Sequence, residues 1–146
     1  MKKMLVWFLV FLIPSLIISA SNSEITKEIT RILAHQRSSW NKGDLESFMS
    51  HYWQSDSFTF QSGDQRLEGW ESLRLRYKKN YAGEEMGNLG FTDLDIKVLS
   101  RNIVLVLGRW EVQAKKSLKG GLFTLVFQRK AEGWRIIHDH TSSGSD

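Results

Sequence analysis

Side chains that suit a buried helix face return every three or four positions between residues 25 and 40 of this chain. They are Ile25, Ile29, Ile32, Leu33, Gln36 and Trp40. This period predicts a long amphipathic α-helix, and Ser23 lies where its side chain can cap the first turn. Gly43 can end that helix in a left-handed conformation, and Asp44 can accept backbone N–H bonds at the start of a second one. The short second helix turns four side chains inward, those of Leu45, Phe48, Met49 and Tyr52.

The middle of the chain combines two short strands with a third helix. Residues 57–61 alternate between polar and apolar side chains, which predicts a strand, and residues 66–68 can pair back across a polar turn. Helical spacing returns in residues 69–81, with inward side chains at Trp70, Leu73, Tyr77 and Tyr81. The glycine-rich segment 82–90 then predicts a flexible loop.

Four longer strands are predicted to close the chain, at residues 91–99, 103–114, 121–129 and 134–142. Their polar separators are short enough for hairpin turns. Residues 103–107 are apolar on both faces of their strand, which predicts burial on both. Helices that precede an antiparallel meander are typical of the α+β class. We therefore expect three N-terminal helices packed on one face of a curved antiparallel sheet, so that helices and sheet together form a cone.

The start of the chain has the pattern of a secretory signal. Lys2 and Lys3 precede an apolar run at residues 4–13, and small residues follow at positions 19–21. The apolar run is shorter than the roughly 20 residues that a membrane-spanning helix needs. We therefore expect cleavage after Ala20.

This pattern divides the chain into a predicted signal peptide at residues 1–20 and one domain at residues 21–146. The mature protein is then secreted or periplasmic, with no stable membrane anchor after cleavage. Retention of the first segment as an anchor is the alternative that the sequence leaves open. The full chain of 146 residues, with 41% apolar and 25% charged residues, has the composition of a single globular domain.

Composition excludes several kinds of site. The chain has no cysteine, which rules out disulfides, thiolate metal sites and a cysteine nucleophile. The formal net charge of +4 includes Lys2 and Lys3, and the other basic residues are interspersed with acids. This distribution does not favour nucleic-acid binding. The sequence also contains no phosphate-binding glycine loop and no nucleophile-elbow motif, and we expect no cofactor.

The last predicted strand ends in a cluster of ionisable side chains. Alternate side chains of a regular strand share a face. One face would then present Trp134, Ile136, His138 and His140, and the other Arg135, Ile137, Asp139 and Thr141. Because both faces include large apolar side chains, the strand is expected to be covered on both sides. Its His-Asp-His end is therefore expected to line the rim of a pocket.

Several stretches resemble the nuclear transport factor 2-like superfamily. They are the Trp-Asn-Lys-Gly-Asp run at residues 40–44, the Gly-Trp pair that opens the third helix, and the Gly-Trp-Arg-Ile-Ile-His-Asp-His-Thr-Ser strand at residues 133–142. Within it the chain resembles the SnoaL-like group and the group named domain of unknown function 4440, over residues 25–143. This resemblance implies a cystatin-like cone. The last strand also resembles the association domain of calcium/calmodulin-dependent protein kinase II, a non-catalytic oligomerising module.

The same superfamily includes steroid delta-isomerases and polyketide cyclases, which place a carboxylate in the cone as a general base. By this resemblance the isomerase base would fall near Phe60 or Gln61, and its oxyanion donor near Thr124 or Leu125. None of these side chains is ionisable, so the isomerase machinery is not expected here. A cyclase-like arrangement, with the acid or base on the last strand, is compatible with Asp139.

The predicted catalytic residues are Asp139, His138 and His140. An aspartate between two histidines can act as a base whose pKa is adjusted by an imidazolium neighbour and by burial. The alternative is a structural ion pair of Asp139 with Arg109 or Arg135. The two histidines would also lie about 7 Å apart along the strand, but no third ligand is evident and no metal is expected.

The predicted ligand-binding residues are aromatic side chains and one hydroxyl, namely Tyr52, Trp53, Tyr77, Trp110 and Thr141. Their rings can stack on a flat ligand, and an indole N–H can act as a polar handle. Packing in the core is the alternative role for the tryptophans.

Two functions follow from these observations. The first is an exported domain whose cone binds a small apolar or carbonyl-bearing molecule, with acid/base catalysis of an isomerase or cyclase type. The alternative is a non-catalytic association module. Helices cover only one face of the sheet, and packing of two sheets about a twofold axis is the usual solution in this superfamily. We therefore expect a homodimer, with Leu105 and Leu107 as residues to test.

Overall fold

The computed structural model describes residues 21–81, 83 and 86–143. The helices in this part of the chain are α1 (Asn22–Asn41), α2 (Leu45–Met49) and α3 (Trp70–Asn80). Its strands are β1 (Thr59–Ser62), β2 (Gln65–Glu68), β3 (Asn88–Ser100), β4 (Ile103–Gln113), β5 (Leu118–Lys130) and β6 (Gly133–Thr141). The predicted signal, residues 1–20, lies outside the described residues.

All six strands belong to one sheet, in the order β2-β1-β6-β5-β4-β3. Strands β3 to β6 form the expected antiparallel meander. The sheet is nevertheless mixed, because β1 runs parallel to β6 with Phe60 opposite Asp139. The expectation of a wholly antiparallel sheet is wrong at this pair. Residues 63–132 separate the two strands, so no short turn between them dictates an antiparallel direction.

Helix α1 is capped by Ser21 rather than by the predicted Ser23. The Ser21 hydroxyl accepts a hydrogen bond of 3.2 Å from the Glu24 N–H, and the Glu24 carboxylate accepts one of 2.8 Å from the Ser21 N–H. This reciprocal pair satisfies backbone donors that the start of a helix otherwise leaves free. The buried face follows the predicted period, with Ile25, Ile29, Leu33, Gln36 and Trp40. Helix α1 packs with this face toward β3.

Strands β3 and β5 begin earlier than the sequence pattern predicts. Strand β3 begins at Asn88 rather than at residue 91, and β5 begins at Leu118 rather than at residue 121. Both extensions pair with residues 111–113 of β4. A neighbouring strand satisfies the backbone of these glycine-containing segments, although their own propensity does not favour a strand. The predicted loop at residues 82–90 therefore gives way to β3 at Asn88, and its residues 82, 84 and 85 lie outside the described residues.

Gly108 on β4 makes room on the inner face of the sheet. It pairs with Phe123 of β5, and a Cβ atom at Gly108 would lie only 2.5 Å from that ring. Without this atom the Phe123 ring can approach β4 and contact Phe91 edge-on, with 5.5 Å between centroids. Both rings then form part of the wall of an internal cavity.

Candidate functional site

A cavity of about 120 Å³ lies inside the cone, between the helices and the sheet. Aromatic rings form much of its wall, at Trp40, Phe48, Phe60, Tyr81, Phe91 and Phe123. Edge-to-face contacts support them: the Trp40 ring lies 5.0 Å from that of Phe48 and 4.9 Å from that of Tyr81 between centroids. A wall of this kind favours an apolar ligand, so the few polar side chains determine the chemistry.

A β-bulge in β6 decides which side chains enter the cavity. Val126 on β5 pairs with His138 of β6. The next residue of β5, Phe127, pairs with Ile136, which leaves Ile137 without a partner. The extra residue reverses the alternation of side chains along the strand.

The bulge places Asp139 on the cavity side of the sheet. Trp134 and Ile136 are buried in the core before the bulge, whereas Asp139 and Thr141 line the cavity after it. The regular alternation that places Asp139 and Trp134 on opposite faces is therefore wrong. Asp139 faces the cavity together with the buried side of β6 because of the bulge.

Asp139 is a buried carboxylate, 2% exposed, whose two oxygens differ in their hydrogen bonding. Its Oδ2 accepts a hydrogen bond of 2.9 Å from the Tyr52 hydroxyl, while Oδ1 is buried without a hydrogen-bond partner among the described residues. Apolar Phe60 and Leu125 flank it in the sheet. Burial raises the pKa of Asp139 to about 7, and the hydrogen bond from Tyr52 opposes this rise. Near neutral pH the carboxyl group can therefore both accept and release a proton.

Two tyrosines adjoin this carboxylate. Tyr52 is buried and forms a parallel bridge with Ile136, immediately before the bulge. Tyr77 of α3 also lines the cavity, and its hydroxyl interacts with that of Tyr52. Burial, together with the charge of Asp139, raises the pKa of both tyrosines well above the ordinary value. Both hydroxyls therefore stay protonated at neutral pH, and Tyr52 already donates its one proton to Asp139.

The structure separates the two predicted catalytic histidines from Asp139. His138 is partly buried on the other side of the sheet, where its Nδ1 lies 2.6 Å from the Thr59 Oγ1. Burial lowers the pKa of His138. His140 is exposed and lies in a shallow depression on that face beside Leu122. Neither histidine lines the cavity.

The predicted ligand-binding residues are not all in one place. Those that line the cavity are Tyr52, Tyr77, Trp110 and Thr141. Trp53 lies outside it, with the Lys130 Nζ 3.7 Å from its ring centroid. Trp110 donates its indole N–H to the carbonyl oxygen of Ser142 at 3.0 Å. This bond holds the chain just after β6 against the cavity wall, so the indole N–H is already occupied.

Several polar residues of the cavity lining were not predicted as site residues, and Gln36 and Arg76 are two of them. Gln36 is 1% exposed and donates a long hydrogen bond of 3.4 Å to the carbonyl oxygen of Phe48. Arg76 of α3 lines the cavity, with its guanidinium 5.4 Å from the centroid of the Phe60 ring. The helical period placed Gln36 on a buried face, which is a signal for it. Nothing in the sequence distinguishes Arg76 from the other basic residues of α3.

Within the described ranges, no group of three metal-ligating side chains lies close enough together to hold an ion. No helix within them is long and apolar enough to cross a membrane. Two histidines do lie close together, with the His51 Nε2 2.8 Å from the His35 Nδ1.

The chain is similar to a known family and to several solved structures. The model of a family described as a SnoaL-like domain matches residues 29–145. A crystal structure of an NTF-2 like protein of unknown function from Shewanella oneidensis MR-1 is 37% identical, covers 81% of this chain and 98% of its own, and has a TM-score of 0.77. No curated protein matches this chain.

More distant structures share the fold. A nuclear transport factor 2 (NTF2-like) superfamily protein from Salmonella enterica serovar Typhimurium is 19% identical over 86% of this chain and 95% of its own, with a TM-score of 0.71. A protein of unknown function with a cystatin-like fold from Nostoc punctiforme is 13% identical over 88% and 96%, with a TM-score of 0.68. The α+β, cystatin-like fold expected from the sequence is confirmed, with helices packed on a curved mixed sheet.

Proposed function

This chain belongs to the SnoaL-like domain family, and we propose that its cavity binds a small carbonyl compound and transfers a proton on it. The observation that supports this proposal is the state of Asp139. One of its oxygens is oriented by Tyr52, and the other is buried without a partner. A carboxyl group with a pKa of about 7 can accept a proton and return it at neutral pH.

The proposed reaction begins with ionised Asp139. The carboxylate removes a proton from the carbon next to the carbonyl group, and the electron pair of that carbon–hydrogen bond forms an enolate. Tyr77 can donate a hydrogen bond to the oxygen on which the negative charge develops. In a compound with a carbon–carbon double bond next to that carbon, the enolate extends over the double bond. Return of the proton from the carboxylic acid to the far carbon of the double bond, while the double bond moves toward the carbonyl group, completes an isomerisation; in a saturated compound the proton returns to the same carbon, which is exchange. Tyr52 acts as a positioning residue, because it holds Asp139.

The size of the cavity limits the compound. An apolar cavity of about 150 Å³ is large enough to hold benzene. The cavity here, of about 120 Å³, is somewhat smaller, so it can enclose no more than about one ring or a short chain, and a steroid skeleton is too large for it. The expected substrate is a small cyclic or short-chain ketone or aldehyde.

The test is exchange of the protons next to the carbonyl group of cyclohexanone in deuterated buffer, followed by NMR. We expect the wild type to accelerate exchange, and Asp139→Asn to reduce the protein-dependent rate on the order of 100-fold, because the amide cannot accept the proton. Asp95→Asn is the matched control, since Asp95 is an exposed carboxylate paired with Lys97. Exchange that is no faster than in buffer alone, or equal in Asp139→Asn and wild type, would reject the general base.

The outer face of the sheet supports a second proposal, association of two copies through this face. Leu105 pairs with Val126 on that face, and both side chains are only partly buried. Leu122, four residues from Val126 along β5, is 56% exposed. An exposed apolar surface on adjoining strands is typical of an interface. A non-catalytic association module, the alternative function, would use the same surface.

We also propose that the protein is exported and that it is related to the domain of unknown function 4440 group. Export is supported by the pattern of residues 1–20, and the second proposal by the sequence of β6. Cleavage after Ala20 would keep Ser21, the capping residue of α1. Intact-mass measurement of secreted or periplasmic protein should give a chain that begins at Ser21. Recovery of the full-length chain from cytosol would contradict export.

A further inference from the structure

We propose that the ligand of the cavity carries a negative charge at the end farthest from Asp139, and that Arg76 binds this charge at the cavity mouth. The inference rests on the proposed function in one respect, namely that the cavity is the ligand site. It narrows the expected compounds to small carbonyl compounds that also bear an anionic group, such as a carboxylate.

The exposure of the lining residues shows where the cavity opens. Asp139 and Tyr52 are buried at one end, whereas Asn80 and Ser143 are exposed and Arg76 is half-buried. The mouth therefore lies beside the end of α3 and the residues just after β6. A ligand that reaches the carboxylate places its other end near Arg76.

Phe60 lies next to both charged lining residues, Asp139 and Arg76. It is the partner of Asp139 in the pairing of β1 with β6, and its ring is covered by the Arg76 guanidinium at 5.4 Å. Arg76 and Asp139 therefore both adjoin the same aromatic residue. A ligand that covers the Phe60 ring can contact both of them with polar groups at its two ends.

The Arg76 guanidinium has N–H donors that can bind a ligand. Its Nη1 donates a hydrogen bond of 2.6 Å to the Oε1 of Gln65, which is a neutral partner. In the part of the chain that the structure describes, no carboxylate oxygen lies within ion-pair distance of Arg76. The guanidinium has five N–H donors in a planar fork that matches a carboxylate or a phosphate.

The charge balance of the lining points to an anion. Of the described lining residues, only Asp139 and Arg76 have charged side chains. Asp139 does not pair with Arg76, because its Oδ2 accepts from Tyr52 and its Oδ1 has no hydrogen-bond partner among the described residues. A second cation, Lys119, lies 5.5 Å from the ring centroid of Tyr81 in the wall. Among the described residues, the lining at the mouth is therefore positive in front of an apolar interior, and this arrangement attracts small anions.

The experiment compares two probes of the same shape, 3-(4-hydroxyphenyl)propanoate and its amide, by calorimetric titration. The phenol suits the Asp139 end of the cavity, and only the propanoate has a charge for Arg76. We expect the wild type to bind the propanoate about tenfold more tightly than the amide, because charge-assisted bonds to a guanidinium are the stronger ones. In Arg76→Gln the affinity for the propanoate should fall about tenfold, while the affinity for the amide stays the same.

Two further variants complete the design. Arg74→Gln removes the same charge two positions away on α3, where Arg74 pairs with Glu46 at 2.7 Å and does not line the cavity. It should leave both affinities unchanged. Arg76→Lys keeps the charge but loses the planar fork, and should retain part of the preference. Circular dichroism checks that each variant is folded.

Equal affinity of the wild type for the two probes, binding of neither probe, or an equal loss of both in Arg76→Gln would overturn the inference. These measurements concern binding and are independent of proton transfer. A wild type that prefers the propanoate but shows no exchange of cyclohexanone protons would keep Arg76 as the anion site and remove Asp139 as the base. The reverse pattern would keep the base and remove the anion site.

Discussion

The Tyr52 hydroxyl donates a hydrogen bond of 2.9 Å to Oδ2 of Asp139, although the two residues lie 87 positions apart in the chain. This bond stabilises the ionised carboxylate, whereas burial among apolar residues destabilises it. The balance leaves the pKa of Asp139 at about 7. The same bond fixes which oxygen stays available to a ligand, so Tyr52 affects both the acidity and the orientation of the proposed base.

Tyr52→Phe is expected to move the pH dependence of proton exchange. Without the hydrogen bond, the pKa of Asp139 rises above about 7, because only burial remains. Exchange requires the ionised form, so the midpoint of its rise with pH should move upward. A pH–rate profile with cyclohexanone measures this midpoint. A lower rate with an unchanged midpoint would mean that Tyr52 supports the structure without tuning the base.

Asp139→Asn is expected to stabilise the protein above neutral pH. The folded pKa of about 7 lies above the ordinary value of 3.8, so between these values the folded state binds more protons than the unfolded state. Stability of the wild type due to this group is present below that window and is lost as the pH rises through about 7. The variant lacks this loss, so above neutral pH its free energy of unfolding should exceed that of wild type by on the order of a few kcal/mol.

The measurement is urea unfolding of both proteins at about pH 4 and about pH 8, with the difference between them taken at each pH. The difference isolates Asp139 from other titrating groups. If it does not change with pH, the carboxyl group is less buried than the structure indicates.

His51 is expected to make the protein less stable as the pH falls, which is the opposite of the pH dependence due to Asp139. Its Nε2 lies 2.8 Å from the Nδ1 of His35. Burial, with the charges of His35 and Arg135, lowers the pKa of His51 from 6.5 to about 4. The stability that this group contributes is present above the ordinary pKa and is lost as the pH falls from 6.5 toward 4. In His51→Gln the free energy of unfolding should therefore fall less over this range. Urea unfolding along a pH series checks this, and a slope equal to that of wild type would contradict it.

Leu107→Glu is expected to separate the proposed dimer. Leu107 lies on the outer face of β4, partly exposed and opposite Thr124 of β5. A carboxylate at this position would be buried without a partner if two sheets pack together. Leu75→Glu is the matched control, because Leu75 is 55% exposed on α3, away from this sheet face. Light scattering at micromolar concentration should give a dimer for wild type and control and a monomer for Leu107→Glu. A monomeric wild type would remove the proposal.

Local spacing in the sequence was enough for most of the fold. The period of Ile25, Ile29 and Leu33 defines the buried face of α1, and the alternation of Val104 and Val106 defines the inner face of β4. These signals depend only on how side chains repeat along a regular helix or strand. The cap of α1 was misplaced from Ser21 to Ser23, because several serines near a helix start satisfy the same local rule.

The candidate site depended on contacts that no local pattern encodes. The sequence by itself identified Asp139, Tyr52 and Tyr77 as residues of interest. Only the tertiary structure decided that Asp139 enters the cavity, because the bulge at Ile137 is set by the register between β5 and β6. Pairing register depends on the whole sheet, and one extra residue exchanges the two faces of everything that follows. For the same reason the histidines next to Asp139 lie outside the cavity, and Arg76, which has no sequence signal, lies at its mouth.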